Sequence, residues 1–219
     1  MTRTAVQIRP LWLWAEFAVL FAGVPVAMTV FFGLYPLFPV LFAFTVLAMG
    51  LLAVTPGGQK GEFFRGPVLS QWRLILGFTL LSAILTFTLA LILVPDRILG
   101  LPRYRPEFWF RIMLLYPILS ALPQEIIYRV LFFRRYGHLF PSPQVALCVN
   151  ALAFSMAHSF YQNPVAIGLT LLSGLVFAWA YQRHRSLMLC TVMHAIAGLI
   201  MFASGLGVYF YHGAIGQTP

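Results

Sequence analysis

Charge is what this sequence has least of. Of its 219 residues only 9% are charged, 61% are hydrophobic, and the mean hydropathy is +0.88. A soluble domain of this length needs a charged surface, and five acidic residues cannot supply one, so a soluble globular class is excluded. An integral membrane protein remains. Acids are scarcer still than bases, and the net charge is +9. The surplus bases stand in short clusters between apolar runs, as in the cytoplasmic loops of membrane proteins, which argues against a nucleic-acid partner. Cysteine is nearly absent. Cys148 and Cys190 both fall inside apolar segments, at a spacing that fits no metal or redox pattern, and read as small packing residues. Internal repeats and low-complexity stretches are lacking too. No cleavable leader is expected: the first apolar run follows Arg3 and Arg9 but continues into a second run, and reads as an anchor that stays.

What the sequence has in plenty is long apolar runs. They occur near 11–33, 36–54, 74–94, 108–135, 144–160, 164–182 and 186–206. About 20 such residues cross a bilayer as a helix. The first two runs are separated only by Gly33, Leu34, Tyr35 and Pro36, a tight turn. The fourth is too long for one straight span and contains Pro117 and Pro123, each of which removes a helix hydrogen bond and crowds the preceding turn. It is either one kinked helix or two helices meeting near Pro123. The predicted fold is all-α: a polytopic transmembrane helical bundle of seven or eight helices with a proline-kinked motif helix. It is one integral membrane domain over 1–219, with N-terminal helices in 1–107 and core helices in 108–206. The most flexible part is expected at 55–72, which carries Gly57, Gly58, Gly61, Gly66 and Pro67. Tyr209 and Tyr211 read as an interfacial belt beside an exposed His212.

Lysine and arginine placement sets the expected orientation. With seven spans, Arg3 and Arg9, then Lys60, Arg65 and Arg73, then Arg134 and Arg135, then Arg183 and Arg185 fall on one side. That side is read as the cytoplasm, with the N-terminus in. Arg97, Arg103 and Arg105 break the pattern and are partly offset by Asp96 and Glu107.

Against this background the polar residues inside the runs stand out. Of the five acids, Glu125 is the one read as having long apolar runs on both sides. Arg129 follows it at i+4, on the same helical face, and Gln124 lies about 100° round, near enough to border the same cavity. His158 and His194 are the other two ionisable groups. Each has a structural reading, as a buried ion pair or as an interhelical hydrogen bonder. Depth makes the set more than its parts. At the helical rise, Glu125 lies roughly 15 Å from Arg135, His194 roughly 13 Å from Arg185 and His158 roughly 22 Å from Pro143. All three can meet in the middle third of a bilayer. A carboxylate with two imidazoles suits acid–base activation of water or metal ligation.

Three short motifs on separate runs carry a resemblance. They are Gln124-Glu125-Ile126-Ile127-Tyr128-Arg129, Phe154-Ser155-Met156-Ala157-His158 and His194-Ala195-Ile196-Ala197-Gly198. In order, spacing and hydrophobic setting, over roughly 108–206, this resembles the CAAX protease and bacteriocin-processing family, also called Abi or CPBP. The resemblance implies an intramembrane endopeptidase of the glutamate type. In that family the first motif usually begins with two glutamates, and one of them, helped by the histidine of the second motif, activates water. A histidine and an asparagine of the third motif stabilise the oxyanion. Carried over by position, Glu125 and Arg129 match the second acid and the arginine, and His158 and His194 match the two histidines. Gln124 stands in the slot of the first glutamate and Gly198 in that of the asparagine. An amide cannot serve as a general base. Either Glu125 takes that role, or the chain is inactive, or glutamine was introduced to trap a complex; the first is favoured. Loss of the asparagine removes a donor whose absence costs about 2.7–4 kcal/mol unless another replaces it, and Gln124 is one candidate.

The expected function is therefore cleavage of a peptide bond in a membrane-associated or C-terminal substrate segment. Glu125 and His158 would activate water, His194 would stabilise the oxyanion, and Gln124 and Arg129 would support them. The expected setting is a multi-pass position in the cell membrane, with protein or peptide substrate and bilayer lipid as partners. No cofactor is expected. A zinc enzyme using Glu125, His158 and His194 is the alternative within the class, weakened by the arginine beside the carboxylate. Outside it stand a non-catalytic, immunity-type relative that binds a membrane partner, and a small proton-relaying transporter.

Overall fold

The computed structural model describes residues 10–31, 37–56 and 68–210. The turn expected at 33–36, most of the loop expected at 55–72, the bases Arg3, Arg9, Lys60 and Arg65, and the residues Tyr211 and His212 lie outside these. The described residues form eight helices and no strands: α1 Leu11–Val30, α2 Leu37–Val54, α3 Val68–Leu93, the short α4 Gly100–Tyr104, α5 Pro106–Leu139, α6 Pro143–Met156, α7 Pro164–His184 and α8 Leu187–Ser204. Six of them, all but α4 and α6, are long and apolar enough to cross a membrane, and the chain is a multi-pass membrane protein. Their outward faces carry large apolar side chains, such as Leu76, Leu80, Ile84 and Leu91 on α3, which suits contact with lipid.

Proline placement explains most of the helix geometry. The long fourth run is one continuous helix, α5, not two helices meeting at Pro123. Its turns widen at Pro117–Ala121 and again over Ile126–Tyr136, and α1 widens at Val19–Gly23, just before Pro25. A proline cannot donate to the carbonyl one turn back, and a widened turn lets the helix continue past it. At 34 residues α5 is about 51 Å long at the usual rise, well beyond the bilayer core. Prolines at the first helical position open α6 and α7, and side-chain caps set three starts: Ser142 accepts from the Val145 N–H at 3.2 Å, Asn163 from Ala166 at 2.8 Å and Ser186 from Leu189 at 3.2 Å.

The run expected as a span over 144–160 departs from that reading. Its helix, α6, has 14 residues and is about 21 Å long, short of a full crossing. The chain leaves α6 through a turn, and His158 sits in that turn and not on a helix. Helices α6 and α7 pack closely, and a Cβ on Gly174 would lie 3.2 Å from the Ala151 Cα. Gln182 Nε2 donates to the Pro143 carbonyl at 2.8 Å and ties the start of α6 to the end of α7.

Two ends of the bundle follow from such ties. At one, Arg134 and Arg135 near the end of α5 reach Thr55, just past α2, and Arg135 pairs with Glu16 of α1. At the other, the Leu99 N–H donates to the Ala203 carbonyl at 2.9 Å, and Asn163 Nδ2 donates to the Tyr209 carbonyl at 2.8 Å. There Gly205, with φ +95°, closes α8 against Arg97, whose carbonyl oxygen would stand 2.7 Å from any added Cβ. Between the ends, a core of buried residues draws on both halves of the chain, with Phe17, Phe21, Tyr128, Phe132 and Tyr136 interlocking α1 and α5. Cys190 is buried in it, whereas Cys148, expected to pack inside, lies on an exposed face of α6.

Candidate active site

A cavity of about 170 Å³ opens between α3, α5, α7 and α8 and is partly open to the surroundings. Its walls are mostly apolar, from Phe78 and Leu81 on α3 to Val176 on α7 and Met201 on α8. The polar groups gather at one side. Helix α5 contributes Tyr116, Ser120 and Gln124, spaced by four residues so that they form one stripe. The turn after α6 contributes His158, and α8 contributes His194 with Gly198 one turn further on. A second, smaller apolar cavity between α1, α2 and α5 touches the first at Ser120, Gln124, His158 and Tyr161.

Glu125 is not among the groups that face either cavity. It is fully buried, and both of its oxygens are occupied: Arg129 Nε donates to Oε2 at 2.9 Å, and His194 Nδ1 lies 2.8 Å from Oε1. Arg129 is equally buried, its guanidinium 4.9 Å from the Phe154 ring centre and 5.7 Å from that of Phe177. Its Nη1 donates to Asn150 Oδ1, and Asn150 Nδ2 donates to the Tyr128 carbonyl at 2.5 Å. Glu125 and Arg129 therefore sit in a hydrogen-bonded network behind the cavity wall, in which Arg129 Nη2 is left without a partner, and His194 is the member of it that reaches the cavity.

The two imidazoles are held in different ways. His158 Nδ1 lies 2.8 Å from the Phe154 carbonyl, which can only accept, so Nδ1 carries a proton and Nε2 is the nitrogen left for a ligand. His194 is stacked on Phe177 at 5.2 Å and met edge-on by Phe154 and Tyr116, with Nδ1 on the carboxylate, so again Nε2 is left. Gln124 Nε2 donates to Ser120 Oγ at 2.9 Å, which leaves its carbonyl and one N–H for the cavity.

Of the five residues singled out from the sequence, Gln124, His158 and His194 line one cavity, while Glu125 and Arg129 stand behind its wall, Glu125 against His194 and Arg129 against Glu125, Phe154 and Phe177. Glu125, His158 and His194 do not converge as zinc ligands, because Glu125 and His194 bond to one another and Arg129 holds the remaining oxygen. Among the described residues no three His, Cys, Asp or Glu side chains are grouped to hold a metal ion. Sequence reasoning passed over Tyr116 and Ser120, although their four-residue spacing upstream of Gln124 was a usable signal. It also passed over Asn150, the amide inside the α6 run, and Glu16, a second acid within an apolar run.

Residues 106–200 match the family described as type II CAAX prenyl endopeptidase Rce1-like, and this segment is a domain of that family. The family is one of proteases, and the matched segment contains all three motifs. No curated protein and no solved structure matches the chain.

Proposed function

We propose that the protein is an intramembrane endopeptidase in which imidazole, and not a carboxylate, takes the proton from water. The observation that carries this reading is the 2.8 Å contact between Glu125 and His194 at the wall of a cavity that His158 and Gln124 also line. A hydrophobic stretch of protein substrate enters between the helices, and its scissile carbonyl comes to rest where the two cavities meet. Water lies between His158 Nε2 and the Gln124 side chain. His158 accepts its proton as the oxygen attacks the carbonyl carbon, and returns that proton to the leaving nitrogen when the C–N bond breaks. His194 donates from Nε2 to the oxyanion while Glu125 holds the ring in place through Nδ1. Glu125 thus acts on the reaction through His194, and Arg129, Asn150 and Phe154 keep it in place. The basic end of the bundle, with Arg134, Arg135, Arg183 and Arg185, is read as cytoplasmic.

A second reading draws on Gln124. The cavity position that the resembled family fills with its first glutamate holds an amide here, tied to Ser120. In that reading the chain binds a membrane partner and cuts nothing. One experiment separates the two: purified protein in liposomes with C-terminal membrane-segment peptides, comparing wild type, Glu125→Gln and Gln124→Glu, each with and without a chelator. Cleavage by wild type that survives chelation and is lost in Glu125→Gln supports the endopeptidase. Activity in Gln124→Glu alone supports the binding protein, and activity abolished by chelation returns zinc to consideration.

A further inference from the structure

We propose that Tyr116 supplies the oxyanion donor missing at Gly198, an inference that rests on the endopeptidase reading. His194 and Gly198 are one turn apart on the same face of α8, so a side chain at 198 would project beside the His194 ring. In this chain that space is already taken. A Cβ built on Gly198 would stand 2.3 Å from Tyr116 Cε1 and 2.5 Å from both Cζ and the hydroxyl oxygen, closer than atoms can approach. The phenol of Tyr116, reaching across from α5, occupies the place where an asparagine side chain would begin, so any side chain at 198 would have to displace it.

The phenol brings the required chemistry with it. Its O–H is a donor, as the asparagine amide would be, and it lines the same cavity as His158, Gln124 and His194. Its ring stands edge-on to His194 at 6.1 Å and to Phe202 at 5.7 Å, which fixes its position, and Ser120 lies within hydrogen-bonding reach of the hydroxyl. When water adds to the scissile carbonyl, the oxygen that becomes negative accepts from Tyr116 O–H and from His194 Nε2–H. The phenol keeps its proton throughout and no bond to it forms or breaks. Two helices exchange roles: the donor moves from α8 to α5, and the glycine on α8 makes room for it.

The decisive comparison is Tyr116→Phe, which keeps the ring packing and removes only the hydroxyl. Expected is a fall in kcat of about 100-fold or more, the usual size for one oxyanion donor, with KM nearly unchanged. A peptide phosphonate that mimics the tetrahedral intermediate is expected to bind about 100-fold more weakly, while binding of the uncleaved peptide is kept. Tyr116→Ala combined with Gly198→Asn is expected to recover at least about tenfold of the kcat lost in Tyr116→Ala alone, whereas Gly198→Asn by itself loses activity through the clash. If wild type cleaves and Tyr116→Phe retains its kcat, or loses phosphonate and substrate affinity equally, Tyr116 is a packing residue and the inference falls alone. A wild type that cleaves no peptide overturns the endopeptidase reading and this inference with it.

Discussion

Among the described residues two carboxylate–arginine pairs are built into this bundle, and they differ in what lies next to them. Glu16 of α1 meets Arg135 near the end of α5 in a two-point contact, Nε to Oε1 at 2.5 Å and Nη2 to Oε2 at 2.9 Å, and also accepts from the Tyr136 hydroxyl. Arg135 further donates to Thr55, so the group locks α1, α5 and the end of α2 together. Glu16 retains 13% of its exposure, and neither cavity touches it. Glu125 is wholly buried and gives Arg129 only one oxygen; the other goes to a histidine at the wall of the larger cavity. An acid–base pair in a membrane helix is therefore no guide to function by itself. What separates the two is whether the carboxylate's second oxygen is spent on more structure or on a ring that can meet a ligand.

Breaking each pair in turn is the direct test. Glu125→Gln is expected to lower kcat by about 10³-fold or more, since His194 loses the carboxylate that fixes the orientation and tautomer of its ring. Glu16→Gln leaves kcat per folded molecule unchanged. Cleavage rates normalised to the folded fraction check both, and equal losses would erase the contrast. Stability gives the next largest effect: Glu125→Gln leaves the buried Arg129 without its charge partner and is expected to cost about 3–5 kcal/mol. Replacing both partners, as Glu125→Leu with Arg129→Met, should recover most of that stability without recovering activity, as unfolding midpoints in detergent would show.

Smaller effects sharpen the comparison. Asn150→Leu removes the amide that joins Arg129 Nη1 to the Tyr128 carbonyl, with an expected loss of about 1–3 kcal/mol and a modest drop in kcat. Thr29→Val breaks the 2.6 Å hydrogen bond to Ser159, which ties α1 to the turn that carries His158. About 1 kcal/mol is expected there, and a KM effect larger than its kcat effect would mean that α1 guards access to the cavity.

Much of the molecule was legible from residue order. The six crossing helices follow from run length, and the starts of α6 and α7 from Ser142-Pro143 and Asn163-Pro164. Glu125 and Arg129 share a face because they are four apart, and counting along the runs anticipated that His158 and His194 could meet, as their places on one cavity wall show. One reading failed for a local reason: α6 stopped at Met156, which left His158 in a turn. Prolines in α5 widened its turns without ending it, which is one of the two outcomes the sequence left open. Glu16 escaped notice because the first apolar run was scanned for length and not for the charge inside it.

What the sequence determined by itself is the class of fold and the set of polar side chains set inside apolar runs, since hydrophobic run length and helical period are local properties of the chain. Which of those side chains meets the cavity only the tertiary structure decided. Gln124 and Glu125 are adjacent in sequence, yet the 100° turn between them puts the amide at the cavity and the carboxylate behind its wall. The glycine at 198 and the tyrosine at 116 are 82 positions apart. Only the packing of α5 on α8 makes one the space for the other.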